Sequence, residues 1–158
     1  RIPDPGSRFP STIPAMDLEQ IFSAATFIAV FGWLVMIVLP RNPNAKLLGG
    51  VAAPLVLSVG YLILIVQHFQ GAEGGFGSLA DVTRLFQKPE LLLAGWIHYL
   101  AFDLFIGGWE IRDSQRLGIP HLLMIPSLLM TFMLGPIGLL FYFAIRSAKT
   151  RALKLEEA

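Results

Sequence analysis

The chain has 158 residues, 54% of them apolar and 15% charged, with a formal net charge of +1. A water-soluble domain of this size exposes too much surface to be built that way, and the near-neutral charge argues against a nucleic-acid partner. There is no cysteine, which excludes disulfides, thiolate metal sites and a cysteine nucleophile and leaves the redox compartment open.

The apolar residues are gathered into long blocks, which points to an all-α, four-transmembrane-helix membrane bundle. Residues 1–15, "RIPDPGSRFPSTIPA", carry four prolines and no apolar period. They read as a vector or fusion linker, with the natural start expected at Met16. The first block runs from Leu18 to Leu39, with Asp17 as its N-cap and Glu19 near the positive end of the helix. In it, Ala25 and Ala29 form a small pair that lets a neighbouring helix approach. The second block runs from Ala45 to Phe69 and contains Pro54. The stretch "QGAEGGFGSLADVTRLFQK" follows, in which Leu79, Val82, Leu85 and Phe86 fall at helical spacing. A short interfacial amphipathic helix is expected there.

The third block runs from Pro89 to Trp109 and the fourth from Pro120 to Arg146, the latter interrupted by Pro126 and by "GPIG" at Gly135 to Gly138. Each block reaches the roughly 20 helical residues that cross a bilayer, and four strands could not close a membrane barrel. Pro54, Pro126 and Pro136 free the carbonyls of Gly50, Leu122 and Phe132, so kinked helices around a hollow are expected. The domain thus spans 16–146, with a charged tail at 147–158. Four crossings would put both termini on one side with Arg84, Lys88, Arg146, Lys149, Arg151 and Lys154. The other side would hold Arg41, Lys46, Arg112 and Arg116, and the small excess favours cytoplasmic termini.

The chemistry concentrates in "GWIHYLAFDLFIGGWEIRD", Gly95 to Asp113. An aspartate at the centre of a membrane helix costs about 2.5–3.5 kcal/mol, so Asp103 must face a partner, a cavity or water. At about 100° per residue, Trp96, Tyr99, Asp103, Ile106 and Glu110 share one stripe, the two carboxylates roughly 10 Å apart along the axis. His98 lies about 140° around from Asp103 and faces another neighbour. Arg41, Asn42, Glu110, Arg112, Asp113 and His121 gather at one mouth of the bundle. Asp113 and Arg116 read equally as a solvated loop, and His121 as an interfacial cap. Gln67 and His68 end the second block at the opposite face, where an interfacial role fits.

These segments, with "LPRN" after the first span and "GIPHLLMIPSLLMTFMLGPIGLLFY" after the third, resemble the neoxanthin-synthase-like family, named for the abscisic-acid-deficient-four protein of plants. The resemblance covers Met16 to Arg146. It implies a four-helix membrane fold and functional positions at His98, Asp103, Glu110, Arg112, Asp113 and His121. The plant member is implicated in converting the epoxide violaxanthin to the allenic neoxanthin, an isomerisation that needs no redox cofactor. On that basis Asp103, His98, Glu110 and His121 are the expected acid and base groups, a protonated Asp103 serving as acid. Trp96, Tyr99, Arg112, Arg41 and Thr131 are expected to hold the substrate. Cofactors are expected to be none, and the partners a hydrophobic carotenoid-like substrate and membrane lipid, with a homo-oligomer open. The short chain favours a bacterial inner membrane, with a plastid membrane the alternative in a plant or alga.

Two readings from other classes stand beside it. A metal site built from His98, Asp103, Glu110 and His121 has suitable nitrogen and oxygen donors but no known ligand spacing. A non-enzymatic pigment-binding or assembly subunit would use the same aromatics and a kinked bundle. A proton or ion path fits less well, since the polar groups stop short of the opposite face.

Overall fold

The computed structural model describes residues 17–150 and is helical throughout, with no strand among the described residues. The linker assignment at 1–15, the start at Met16 and the last eight residues of the tail lie outside them. Helix α1, Leu18–Val38, starts at Asp17, whose backbone N–H donates to the Gln20 side chain at 3.2 Å. Asn42 caps α2, Pro43–Leu47, through its side-chain oxygen, 2.9 Å from the Asn44 N–H. A wide π-turn, Leu48–Ala52, joins α2 to α3, Ala53–His68. The π-turn ends two residues before Pro54, where the missing N–H would have broken the regular ladder. Together these segments make one continuous helix, Pro43–His68.

Helix α4, Leu79–Phe86, forms where the amphipathic spacing predicts it. Ser78 caps it by accepting from the Asp81 N–H at 3.1 Å and donating to the Asp81 carboxylate at 2.7 Å. That hydrogen bond, then the adjoining Arg84 guanidinium, hold the Asp81 carboxyl below its ordinary range. Helix α5, Pro89–Arg116, is longer than expected by two turns. The stretch after Trp109, where Asp113 and Arg116 read equally as a solvated loop, is therefore helical, and this end of α5 buries Glu110, Asp113 and Ser114. Three helices, Leu18–Val38, Pro43–His68 and Pro89–Arg116, are long and apolar enough to cross a membrane.

The fourth block is not one crossing. It is split at Gly135 into α6, His121–Leu134, and α7, Pro136–Thr150. In a continuous helix Ser127 and Gly138 would lie roughly 16 Å apart. Here the Ser127 hydroxyl donates to the Gly138 carbonyl at 3.1 Å, so α7 folds back along α6. Gly135 makes the reversal with φ +52, a backbone that residues with a side chain rarely adopt, and Pro136 then starts α7 where its missing N–H costs nothing. Gly138 lets α7 lie directly on the Thr131 backbone. At 14 residues, α6 reaches roughly 21 Å, short of the ~30 Å hydrocarbon core.

Contacts at the helix ends define two faces. At one, Lys88 donates to the His68 carbonyl at 2.9 Å, and Leu18, Glu19 and Phe22 border the same cavity as Pro89. At the other, His121 contacts the Ile37 carbonyl at 2.9 Å, Gln115 donates to the Pro40 carbonyl at 2.6 Å, and Lys46 donates to Gln115 at 3.0 Å. Helix α7 returns to this second face, since Tyr142 and Arg146 both reach Asp113 near the end of α5. The N-terminal end of α1 and the C-terminal end of α7 therefore sit at opposite faces, not together as four crossings would place them.

Helix α5 is the central element. Ala25, Ala29, Trp33 and Met36 of α1 and Leu57 and Leu64 of α3 are buried in one core with Ile97, Leu100, Ala101 and Leu104 of α5. Two glycines permit a close backbone approach: a Cβ on Gly108 would fall 2.6 Å from the Gly50 Cα. Gly107 gives way to the Trp33 ring in the same manner.

Candidate functional site

The inner stripe of α5 forms as its spacing predicts. Glu110 is fully buried, and one carboxylate oxygen accepts from the Thr131 hydroxyl of α6 at 3.0 Å. Its other oxygen is buried with no hydrogen-bond partner. Asp103, two turns below, is half-buried, and its Oδ2 is likewise enclosed without a partner. The hairpin tip closes over this carboxylate. A Cβ on Gly135 would lie 3.2 Å and 3.4 Å from its two oxygens and 3.4 Å from the Tyr99 ring. The Tyr99 hydroxyl donates to the Phe132 carbonyl at 3.4 Å, tying the stripe to α6.

An aromatic ladder leads away from Asp103. Tyr99 packs on Trp96 with ring centres 5.5 Å apart, and Trp96 stacks on Phe22 of α1 at 5.8 Å. Trp96 and Phe22 are both exposed. They border a cavity of about 370 Å³ with Leu18, Glu19, Pro89, Leu92 and Leu93. The ladder thus runs from an open apolar groove at the α1–α5 seam to the enclosed carboxylate.

Asp113 does different work. It accepts from Tyr142 Oη at 2.5 Å, Arg146 Nε at 2.8 Å and Arg116 Nη2 at 2.8 Å. Arg146 is 2% exposed, so this is a buried ion pair that fastens α7 to α5. In the sequence, Arg146 stands at the end of the domain with no part in the expected site. Its signal was present, since Tyr142 and Arg146 are four residues apart on one helical face. Their partner lies 33 residues from Arg146, however, and no local spacing reveals it.

The two histidines lie apart from the carboxylates. His98 is exposed on another side of α5, stacked on Phe102 with centres 4.5 Å apart and tilted against Tyr61 at 5.5 Å. It borders a cavity of about 230 Å³ with Ile65, Phe69, Phe86 and Leu91. His121 starts α6 and ties it to the end of α1, and it borders a surface cleft with Arg41 and Asn42. Arg41 is exposed in that cleft, and Arg112 lies where a Cβ on Gly50 would meet its Nη1 at 3.1 Å. Thr131 is buried as the donor to Glu110. Asp103, Glu110, Tyr99, Trp96 and Thr131 are therefore brought together, while His98, His121 and Arg41 are not.

The alternative in which His98, Asp103, Glu110 and His121 share a metal ion does not match this geometry. Among the described residues no group of three or more histidines and carboxylates could hold one. His98 lies on a different side of α5 from the two carboxylates, as its offset of about 140° requires, and His121 begins α6.

A family described as ABA DEFICIENT 4-like matches residues 20–142. No curated protein and no solved structure matches the chain.

Proposed function

The chain belongs to the ABA DEFICIENT 4-like family, and on that premise we propose that it is a membrane isomerase acting on a carotenoid- or isoprenoid-like epoxide. The observation that carries this reading is the pair Asp103 and Glu110, each with one carboxylate oxygen enclosed and without a partner. A buried polar atom left unpaired is costly, and retaining two on one stripe suits groups that find their partner in a substrate.

Opening an epoxide to an allenic alcohol needs an acid at oxygen and a base at carbon. One carboxyl of the pair, protonated, donates to the epoxide oxygen as the C–O bond breaks, and that electron pair remains on the new hydroxyl. The other, ionised, removes a carbon-bound proton, and the C–H electron pair becomes the new C=C bond. One proton returns from base to acid per turnover, so composition is unchanged and no oxidant is needed. The roughly 10 Å of helix axis between the two residues leaves room for one ring end of the substrate. The second carboxylate takes the base role ahead of the histidines, since neither ring adjoins Asp103.

The polyene would lie on the Phe22–Trp96–Tyr99 ladder, whose exposed end opens to lipid. Gly135 covers Asp103 in this state, so access requires the α6–α7 tip to move. The Asp113–Arg146 pair at the far end of the hairpin provides a fixed base for that movement.

The test is conversion of a purified epoxy-carotenoid in mixed micelles, followed by chromatography and mass. An isomer of unchanged mass, formed by the native chain and absent with Asp103→Asn, supports the reading. A pigment that is held but never converted by the native chain overturns it in favour of a binding or assembly role.

A further inference from the structure

The hairpin redistributes charge between the two faces of the molecule. Had α6 and α7 crossed as one span, Arg146 and Lys149 would share a face with Arg84 and Lys88. Because α7 returns, they join Arg41, Lys46, Arg112 and Arg116. Among the described residues that makes six cations at the face holding the α1–α2 and α5–α6 connections, one of them, Arg146, buried against Asp113, and two at the face holding α4. The acids run the other way: Asp17, Glu19, Glu73, Asp81 and Glu90 belong to the α4 face, while Glu110 and Asp113 are buried within α5.

From this we infer the orientation of the chain in its membrane. The face with Arg41, Lys46, Arg116 and the end of α7 lies on the cytoplasmic side, against anionic headgroups. The N-terminal end of α1, with α4, lies on the opposite side. Short loops rich in Lys and Arg are retained on the side of synthesis, and cations near an anionic leaflet are attracted to it. A four-crossing chain would balance the same cations four against four among the described residues and leave its orientation undetermined. The hairpin therefore both opposes the helix ends and sets their direction. This inference does not rest on the proposed chemistry.

The chain contains no cysteine, so single cysteines report without background. Asn44→Cys, Ala148→Cys and Glu73→Cys, all at exposed positions, would be treated with a membrane-impermeant maleimide in sealed vesicles of known polarity. Labelling of Asn44→Cys and Ala148→Cys from the cytoplasmic side, and of Glu73→Cys from the other, is expected. Lys149→Cys and Ala72→Cys repeat the second and third positions should either variant fail to accumulate. Labelling of Ala148→Cys from the same side as Glu73→Cys overturns the hairpin. Labelling of Asn44→Cys from the non-cytoplasmic side overturns the direction. A position labelled from neither side overturns its placement at a surface.

Discussion

The Thr131 hydroxyl donates to one oxygen of Glu110 at 3.0 Å, while the other oxygen of the same carboxylate is buried and unpaired. This bond, with that from Tyr99 to the Phe132 carbonyl, links the hairpin to the inner stripe of α5, and it fixes which Glu110 oxygen remains available. Thr131→Val keeps the volume and removes the donor, leaving both oxygens of a buried carboxylate without a partner. The expected cost is about 1–3 kcal/mol of stability. Thermal unfolding in detergent measures it, and a midpoint equal to that of the native chain would show that the bond carries nothing.

The two carboxylates and the two histidines separate by position, so their substitutions should separate by effect. Asp103→Asn and Glu110→Gln remove the proton donor and acceptor while nearly preserving shape, and turnover of an epoxy-carotenoid should fall roughly 10²–10⁴-fold. His98→Ala and His121→Ala act on groups away from the stripe and should change turnover by less than about tenfold. The four rates, normalised to folded protein, check the assignment. A histidine variant as inactive as Asp103→Asn would move the base role to that ring.

Buried pairing at Asp113 predicts a steep contrast between its two arginines. Arg146 is enclosed and shares Asp113 with Tyr142, whereas the Arg116 side chain is 40% exposed. Removing one partner of a buried pair leaves a charge uncompensated and costs roughly 3–5 kcal/mol. An exposed pair contributes about 0–1 kcal/mol. Arg146→Met should therefore lower the unfolding midpoint far more than Arg116→Ala, and equal shifts would remove the hairpin's anchor from Asp113.

The three long spans and the carboxylate stripe were legible in the sequence because each rests on a local rule. Length and apolarity mark spans at Leu18 to Leu39, Ala45 to Phe69 and Pro89 to Trp109, each falling on one long helix of the structure, and a repeat of about 100° places Asp103 and Glu110 together. The path of the fourth block is not legible in the same way, because length and apolarity do not distinguish a helix that crosses from one that turns back. The distinguishing signal was the pair Gly135–Pro136, a helix stop followed at once by a helix start, and it registered only as an interruption. Asp113 reads in the sequence equally as loop or as site, because its partners, Tyr142 and Arg146, lie 29 and 33 residues away and reach it only through that reversal. The long-range pairing and the misplaced helix ends thus trace to one missed turn.

Backbone contact between α5 and the π-turn gives the last prediction. A Cβ on Gly108 would fall 2.6 Å from the Gly50 Cα, and the obstacle is main chain, which cannot rotate aside as a side-chain tip would. A Cβ on Gly50 would press on both the Gly108 Cα and the Arg112 guanidinium, each at 3.1 Å. Gly108→Ala must therefore push α5 and the π-turn apart, and overpacking of this kind costs about 1–3 kcal/mol. Gly60, one helix segment further along, has open space around its hypothetical Cβ. Gly60→Ala should accordingly leave stability unchanged or raise it, since alanine is the better helix former by about 1 kcal/mol. Thermal unfolding of the two variants side by side separates the crossing contact from any general cost of replacing glycine in a membrane helix. If both behave alike, the close approach of Gly50 and Gly108 is not what holds these helices together.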